Sequence, residues 1–337
     1  MAVHNFGLIG CGTISDRHIN AIKSIENINL VAVADARLER AKNLGEKYNI
    51  EYSDNYRKIL DNPEIEAVSL CVPNYEHVNL ALEAIEKGKN VLLEKPISVN
   101  LEDADKLIKK AGEKNIKLAV VKQLRYNQTV KILKKAIEKG KLGKILSANV
   151  TVRWNRNKDY YQKKDWVGKK EKSGGNLMNI GSHYIDILQF LLGKAEKVFG
   201  KTLPSSIEDV KIEDTAHGLV TFENSVLALI EFTTATYNKN WECSLTILGE
   251  KGTVKLGGNY LDKFDFWNVE NYPQPEIKEV NLNPNEVNLN FKELYENFVK
   301  LLENKDADIA DGESAKKSLE IVLAIYKSAE EGREILL

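Results

Sequence analysis

From residue 6 to about residue 145, short apolar runs rich in β-branched residues alternate with stretches whose apolar positions recur at i, i+3, i+4 and i+7. FGLIG, LVAVAD ending at Asp35, AVSLCV ending at Val72, NVLLE ending at Glu94 and IKLAVV ending at Val121 read as strands. Between them, stretches such as HVNLALEAIEKGK carry the helical period and stop at Gly88. Strands and helices in strict alternation predict parallel strands joined by crossover helices, hence an α/β fold. Beyond Lys144 the period changes. ILSANVTVRW, TAHGLVTF, SVLALIEFTTAT, ECSLTILG and GTVKLGG alternate apolar and polar positions and read as antiparallel strands, with turns at 249–252 and 257–259. Such a sheet leaves one face open to another layer or to a subunit. The amphipathic stretches FKELYENFVKLLEN and AKKSLEIVLAIYKSAEEG are expected to return and pack on the first domain.

The chain has 337 residues, more than most single cores hold, so two domains are expected. Lys and Arg total 48 and Asp and Glu 49. That balance removes the electrostatic case for a nucleic-acid or anionic-membrane binder and points to small-molecule partners. Cys11, Cys71 and Cys243 are odd in number, widely spread and set among apolar residues. They read as buried thiols of a reducing compartment. The N-terminal residues do not read as a signal peptide, and the longest apolar stretches, such as ILQFLL at 187–192, fall far short of the roughly 20 residues of a membrane span. A cytoplasmic location is expected.

The first strand runs into Gly10, Cys11, Gly12, Thr13, Ile14 and Ser15, with a helix following. Gly10 permits a tight bend, Gly12 lets a pyrophosphate approach the backbone, and the helix N-terminus offers N–H groups to the anion. Ser15 stands where a third glycine is usual, but a small residue there still permits close helix packing. Asp35 ends the second strand, where an acidic side chain accepts hydrogen bonds from the adenosine ribose and repels a 2′-phosphate. NAD is therefore favoured over NADP, although Arg37, two residues on, is placed to take a 2′-phosphate. Cys71, Pro73, Asn74 and His77 lie at and just beyond the end of one later strand, and Glu94 and Lys95 at the end of the next. In an open parallel sheet the ligand sits outside these carboxyl ends. Lys95 reads either as a surface lysine paired with Glu94 or as a base beside the nicotinamide, and its position favours the second.

The stretch SGGNLMNIGSHYIDILQFLLG brings a glycine-rich approach to an amphipathic helix. Asn179, His183 and Asp186 share one face if that helix begins near Asn179. His183 suits proton exchange with a substrate hydroxyl. Asp186 reads equally as the group that orients His183 or as a side chain bonded to backbone and solvent. Upstream, the 153–166 loop concentrates Arg153, Trp154, Arg156, Tyr160, Tyr161, Lys163 and Trp166, which could close over an anionic ligand or form a solvated basic loop with structural aromatics. Arg125 is a further anion-binding candidate. His4, His18 and His217 share no metal-ligand spacing, and no metal is expected.

In this order and with these gaps, GCGTIS, CVPNYEH, EKPIS, LRYNQ, GGNLMNIGSHYID and the ending SLEIVLAIYKSAEEGREI resemble the Gfo/Idh/MocA family of NAD(P)-dependent sugar oxidoreductases over essentially the whole chain. The resemblance implies a Rossmann dinucleotide-binding domain over 1–122. A substrate-binding and oligomerisation α/β domain with an open, mostly antiparallel sheet would follow over 123–337, its last helix packing back on the first domain. It implies Lys95 and His183 as the catalytic pair, with Gln123 and Trp166 joining the cofactor-binding residues above. Arg125, Arg153, Arg156, Tyr160, Tyr161, Lys163 and Asn179 would bind substrate. Many members carry an aspartate where this chain has Asn179; an amide takes no proton at neutral pH, so the relay is left to Lys95 and His183.

The Asn variant, with the YY, WVG, SGG and NIGSHYID sequences, resembles the WlbA/WbpB branch, the UDP-N-acetyl-2-amino-2-deoxyglucuronate (UDP-GlcNAcA) dehydrogenases. These oxidise the sugar 3-hydroxyl on the route to diacetamido uronic acids of surface polysaccharides. Some hold NAD(H) tightly and reoxidise it with 2-oxoglutarate. The alternatives are a UDP-GlcNAc, inositol or aldose dehydrogenase of the same family and, in another class, a non-catalytic NAD- and sugar-binding sensor. A homo-oligomer, tetramer or dimer, is expected through the open sheet.

Overall fold

Buried on both faces, a parallel strand needs only a few apolar residues, and the first half of the chain supplies several such runs. The structure, a computed structural model, describes residues 2–163, 166–277 and 287–337. In chain order the first half holds β1 (His4–Ile9), α1 (Ser15–Lys23), β2 (Ile28–Ala34), α2 (Leu38–Tyr48), β3 (Glu51–Ser53), α3 (Arg57–Leu60) and β4 (Ala67–Leu70). It continues with α4 (His77–Glu86), β5 (Asn90–Leu93), α5 (Leu101–Glu113) and β6 (Leu118–Val120). The six strands are parallel in the order β3-β2-β1-β4-β5-β6. Strand order reverses between β1 and β4, the topological switch point at which such sheets bind ligands. Leu8, Val68, Leu92 and Val120 are fully buried along the sheet. β3 was not expected. It is a three-residue edge strand whose Glu51 and Tyr52 are exposed, too short to carry a period.

The second half holds α6 (Gln128–Glu138), β7 (Ile145–Arg153), α7 (Lys158–Gln162), α8 (Lys170–Ser173), a π turn at Leu177–Gly181 and α9 (Ser182–Leu192). It continues with β8 (Ala195–Pro204), β9 (Glu213–Phe222), β10 (Leu227–Thr233), β11 (Glu242–Gly249), β12 (Gly252–Gly257) and β13 (Lys263–Val269). α10 (Val287–Leu302), α11 (Gly312–Glu331) and β14 (Ile335–Leu336) close the chain. Eight strands form one sheet in the order β13-β12-β11-β7-β10-β9-β8-β14. All neighbours are antiparallel except β7 and β10, which run parallel with Val150 opposite Ile230. One face carries the buried set Val150, Val152, Val220, Ile230, Phe232, Leu245 and Ile247; the opposite face exposes Phe199, Leu219, Leu227 and Leu229.

Two compact units emerge, Met1–Gln123 with Val280–Ala315, and Leu124–Glu279 with Lys316–Leu337. α10 belongs to the first. It packs along α1 and sets Tyr295 and Phe298 edge-on against Phe6 of β1, at ring separations of 5.8 and 5.9 Å. The last helix, expected to pack back on the first domain, has its start there, Gly312 lying against Ile108 of the first unit, whereas Ile325 sits against Gly200 and Gly218 of the second. The bare backbone of those two strand glycines leaves the room that Ile325 fills.

Candidate active site

In the first unit the functional side chains gather at the carboxyl ends of β1, β2, β4 and β5. Gly10 has φ of +100°, and a Cβ there would lie 2.4 Å from the carbonyl oxygen of Cys71, so the turn excludes a side chain. At Gly12 a Cβ would meet nothing within 4 Å; the protein leaves that side open, as a pyrophosphate approaching the backbone requires. Ser15, at the third glycine position, is absorbed by the turn, its hydroxyl donating to the Gly12 carbonyl at 2.6 Å. Thr13 and Ile14 lead into α1, and no side chain caps that helix's N-terminus. Asp35 closes the loop from the other side. One of its oxygens accepts the Cys11 N–H at 2.8 Å and the other the Arg37 N–H at 2.9 Å. Burial, with help from the Asp35 charge, pushes the Cys11 thiol up to about 12.

His77, expected among the cofactor contacts, is fully buried and ties two strand-end loops together. Its Nδ1 meets the Pro96 carbonyl at 2.6 Å and its Nε2 the Val72 carbonyl at 3.0 Å. Burial lowers its pKa, against the two backbone carbonyls that favour the charged ring. Pro73 leads into a single 3₁₀ turn in which Asn74 is buried. Glu94 accepts from His18 Nε2 at 3.1 Å and from the Lys95 backbone N–H at 3.1 Å. Burial opposes its charge, but the His18 hydrogen bond and the nearby Lys95 charge outweigh it and hold the carboxyl below the ordinary range. Lys95 itself is half-buried. Gln123 has a buried side-chain oxygen with no hydrogen-bond partner among the described residues. An open Gly12, an uncapped helix start, a ribose-height carboxylate and an orphaned acceptor together fit a dinucleotide.

The second unit holds the other group. Asn179 lies on the π turn, its N–H bonded to Gly175, while His183 and Asp186 lie on α9. Asn179 thus precedes the regular α-helix, on which His183 and Asp186 lie three residues apart. A π turn of this kind often marks a functional site. It is anchored by Glu213, whose Oε1 accepts the Leu177 N–H and the Tyr326 hydroxyl, each at 2.7 Å. Burial raises the Glu213 pKa despite these bonds. Asp186 has a partner neither reading named: Arg125 donates to it in bidentate fashion, Nε at 2.8 Å and Nη2 at 2.7 Å, over the Phe190 ring. Arg125, expected to hold a substrate anion, thus holds a protein carboxylate.

Arg153 is similar. Its guanidinium forks onto Glu231 at 2.6 and 2.7 Å and reaches Glu242 at 2.8 Å, so the cross-strand carboxylates occupy the group expected to take a ligand anion. Arg156 stacks on Trp154 and Tyr160 at 4.7 and 4.8 Å. Its Nε is buried without a hydrogen-bond partner among the described residues. Tyr161 is core rather than ligand surface: it packs with Val167 and Ile212, and its hydroxyl accepts from Asn176 at 2.8 Å. Trp166 lies partly buried against the same cluster, and Lys163 is exposed. Lys164 and Asp165 of this loop lie outside the described residues. Sequence reading gave no role to His18, Glu213, Tyr295 or Tyr326; their partners lie far along the chain, and no local spacing signals them.

Residues 4–122 match the family model described as oxidoreductase family, NAD-binding Rossmann fold, and residues 134–337 match oxidoreductase family, C-terminal alpha/beta domain. Among solved structures, the WlbA dehydrogenase from Bordetella pertussis, in complex with NADH and UDP-GlcNAcA, is 33% identical with a TM-score of 0.91, covering 100% of this chain and 98% of its own. The WlbA dehydrogenase from Chromobacterium violaceum, with the same two ligands, is 32% identical with a TM-score of 0.90, covering 100% and 96%. The D-glucoside 3-dehydrogenase of Escherichia coli is 26% identical over 98% of this chain and 96% of its own. The chain therefore belongs to the Gfo/Idh/MocA oxidoreductase family, with an NAD-binding Rossmann domain followed by the family's C-terminal α/β domain.

Proposed function

We propose that this protein is an NAD-dependent dehydrogenase that oxidises the sugar 3-hydroxyl of UDP-GlcNAcA to the 3-keto sugar, in the biosynthesis of diacetamido uronic acids for surface polysaccharide. The observation that carries the reading is the likeness, at about one third identity over the whole chain, to two WlbA dehydrogenases holding NADH and UDP-GlcNAcA. Asn179, His183 and Lys95 standing together in one sequence support it.

The nicotinamide, when bound, supplies the acceptor for the hydride that leaves C3. Lys95 in its neutral form takes the proton of the 3-hydroxyl, and His183 assists; the C–H and O–H bonds break as the carbonyl forms. Asn179 can donate and accept hydrogen bonds but cannot carry the proton. Gly12, the start of α1, Asp35 and Gln123 hold the dinucleotide. Of the loop cations, Arg156 and Lys163 are assigned to the substrate's anionic groups, since Arg125 and Arg153 already hold protein carboxylates. NAD(H) stays bound between turnovers and is reoxidised by 2-oxoglutarate, and the protein self-associates through the open face of its second sheet.

Purified protein incubated with NAD and either UDP-GlcNAcA or UDP-GlcNAc, with and without 2-oxoglutarate, is expected to remove two hydrogens from the uronate alone, as read by mass spectrometry, and to do so faster with the oxo acid. Oxidation of UDP-GlcNAc, inositols or free aldoses instead would move the substrate within the family. Binding of cofactor and sugar without turnover of any of them would favour a sensor. Lys95→Met is expected to lose about 100- to 10,000-fold in turnover while still binding NADH, measured by quenching of protein fluorescence.

A further inference from the structure

One histidine the mechanism does not use sits at the centre of a buried polar chain. His18, on α1, is fully buried with Phe291 edge-on to its ring at 4.9 Å. Its Nδ1 meets the Tyr295 hydroxyl at 2.8 Å and its Nε2 meets Glu94 Oε1 at 3.1 Å. The Tyr295 oxygen in turn lies 2.7 Å from Ser69 Oγ. The other Glu94 oxygen accepts the backbone N–H of Lys95. Four elements meet here: α1, β4, the end of β5 and α10.

An ionised Glu94 only accepts, so the ring presents its Nε2 hydrogen to the carboxylate, while Nδ1, the Tyr295 hydroxyl and the Ser69 hydroxyl complete a continuous chain behind it. An apolar side chain would fill the His18 site without the desolvation that this chain of polar groups entails, so packing alone does not account for it. What the chain reaches is the carboxylate beside Lys95. We propose that His18 is a positioning residue for Lys95: with Tyr295 behind it, its ring orients the Glu94 carboxylate, which fixes the lysine's backbone and sets the charge beside its amine. The proposal rests on the reading of Lys95 as the base. It also ties the helix that opens on the cofactor phosphates to the strand end that carries the lysine.

The titratable groups facing Glu94 are His18 from α1, Cys71 after β4, His77 from α4, Tyr295 from α10 and Lys95 itself. Removing the His18 N–H leaves the Glu94 charge less offset, which favours the Lys95 ammonium and leaves less free amine at a given pH. The test is competitive acetylation of the full-length protein with acetic anhydride at about pH 8, the Lys95 peptide being quantified by mass spectrometry. A Gln side chain can keep a donor near the Nε2 position, whereas Asn cannot reach Glu94. His18→Gln is therefore expected to label within about twofold of wild type, and His18→Asn at least about threefold more slowly. Unchanged or faster labelling of His18→Asn, or equal slowing of both variants, overturns the proposal. Should His18→Asn not fold, Tyr295→Phe, which removes only the hydroxyl behind Nδ1, must slow labelling at least about twofold, or the proposal fails. Labelling needs no substrate. Turnover that survives Lys95→Met would overturn the base role and leave the labelling result standing, so the two failures are distinguishable.

Discussion

Arg125 and Asp186 are both almost fully buried, and each is tolerable there because of the other. Taking one ion out of water costs several kcal/mol, and the bidentate contact with the Phe190 ring beneath it offsets that cost only while both partners are present. Arg125→Leu alone is therefore expected to destabilise the protein by about 3–5 kcal/mol in urea denaturation, since it takes the bidentate cationic partner from a buried carboxylate. The double substitution Arg125→Leu with Asp186→Leu is expected to cost less than the single change. Additive losses in the two single variants and the double would show that the pair is not coupled. The same pairing explains why Arg125 and Arg153 read as ligand-binding residues from the sequence. An arginine's charge is visible there, but the carboxylate that meets it, 61 residues away for Arg125 and 78 for the nearer Arg153 partner, is not.

Glu213 sets the start of the π turn, and its behaviour with pH follows from its burial. Its pKa is raised, so the protonated form is the one the fold favours; the stability it contributes is full below the unfolded carboxylate value and is lost as pH rises through the native one. Glu213→Gln keeps an acceptor for the Leu177 N–H and the Tyr326 hydroxyl without the charge. Its stability relative to wild type is expected to rise between about pH 4 and about pH 7, followed by chemical denaturation at each pH. Glu213→Leu strands both donors at about 1–3 kcal/mol each, and a Leu variant as stable as the Gln variant would refute the anchoring role. What was legible at this scale was whatever a short window contains. The bend at Gly10, Asp35 at the end of β2 and five of the six parallel strands lie within single runs of sequence. β3 is too short to show a period. β8 and β13 escaped because exposed lysines, glutamate and aspartate punctuate their alternation, as in AEKVFGKTLP and KFDFWNV. The π turn escaped because spacing arguments assume 3.6 residues per turn. His18 carries no metal spacing or other local signal, and its partner Tyr295 lies 277 residues on.

The second sheet carries an apolar surface on the face opposite its core, and its register shows how that surface is built. Phe199 of β8, Leu219 of β9 and Leu229 of β10 are directly opposite one another in successive strands, at 39%, 46% and 46% exposure. Leu227, one pleat along β10, and Leu203, towards the end of β8, extend the exposure to 49% and 62%. Single exposed leucines are ordinary, but a row of adjacent ones across three strands is the arrangement a partner covers. Flat sheet faces suit a second copy of the same sheet, since a two-fold axis lets each row pack on its equivalent. The assembly proposed through this face is expected to come apart when a charge is placed in the row. Leu219→Glu and Leu229→Glu should each lower the mass measured by light scattering at micromolar protein, whereas Leu38→Glu, exposed on the first unit, should leave it unchanged. Because the altered side chains already lie at the surface, the variants are expected to keep their circular dichroism and NADH binding, which separates loss of assembly from loss of fold. A wild-type protein that is monomeric throughout that range would remove the assembly, and variants that assemble like wild type would move the interface to another face.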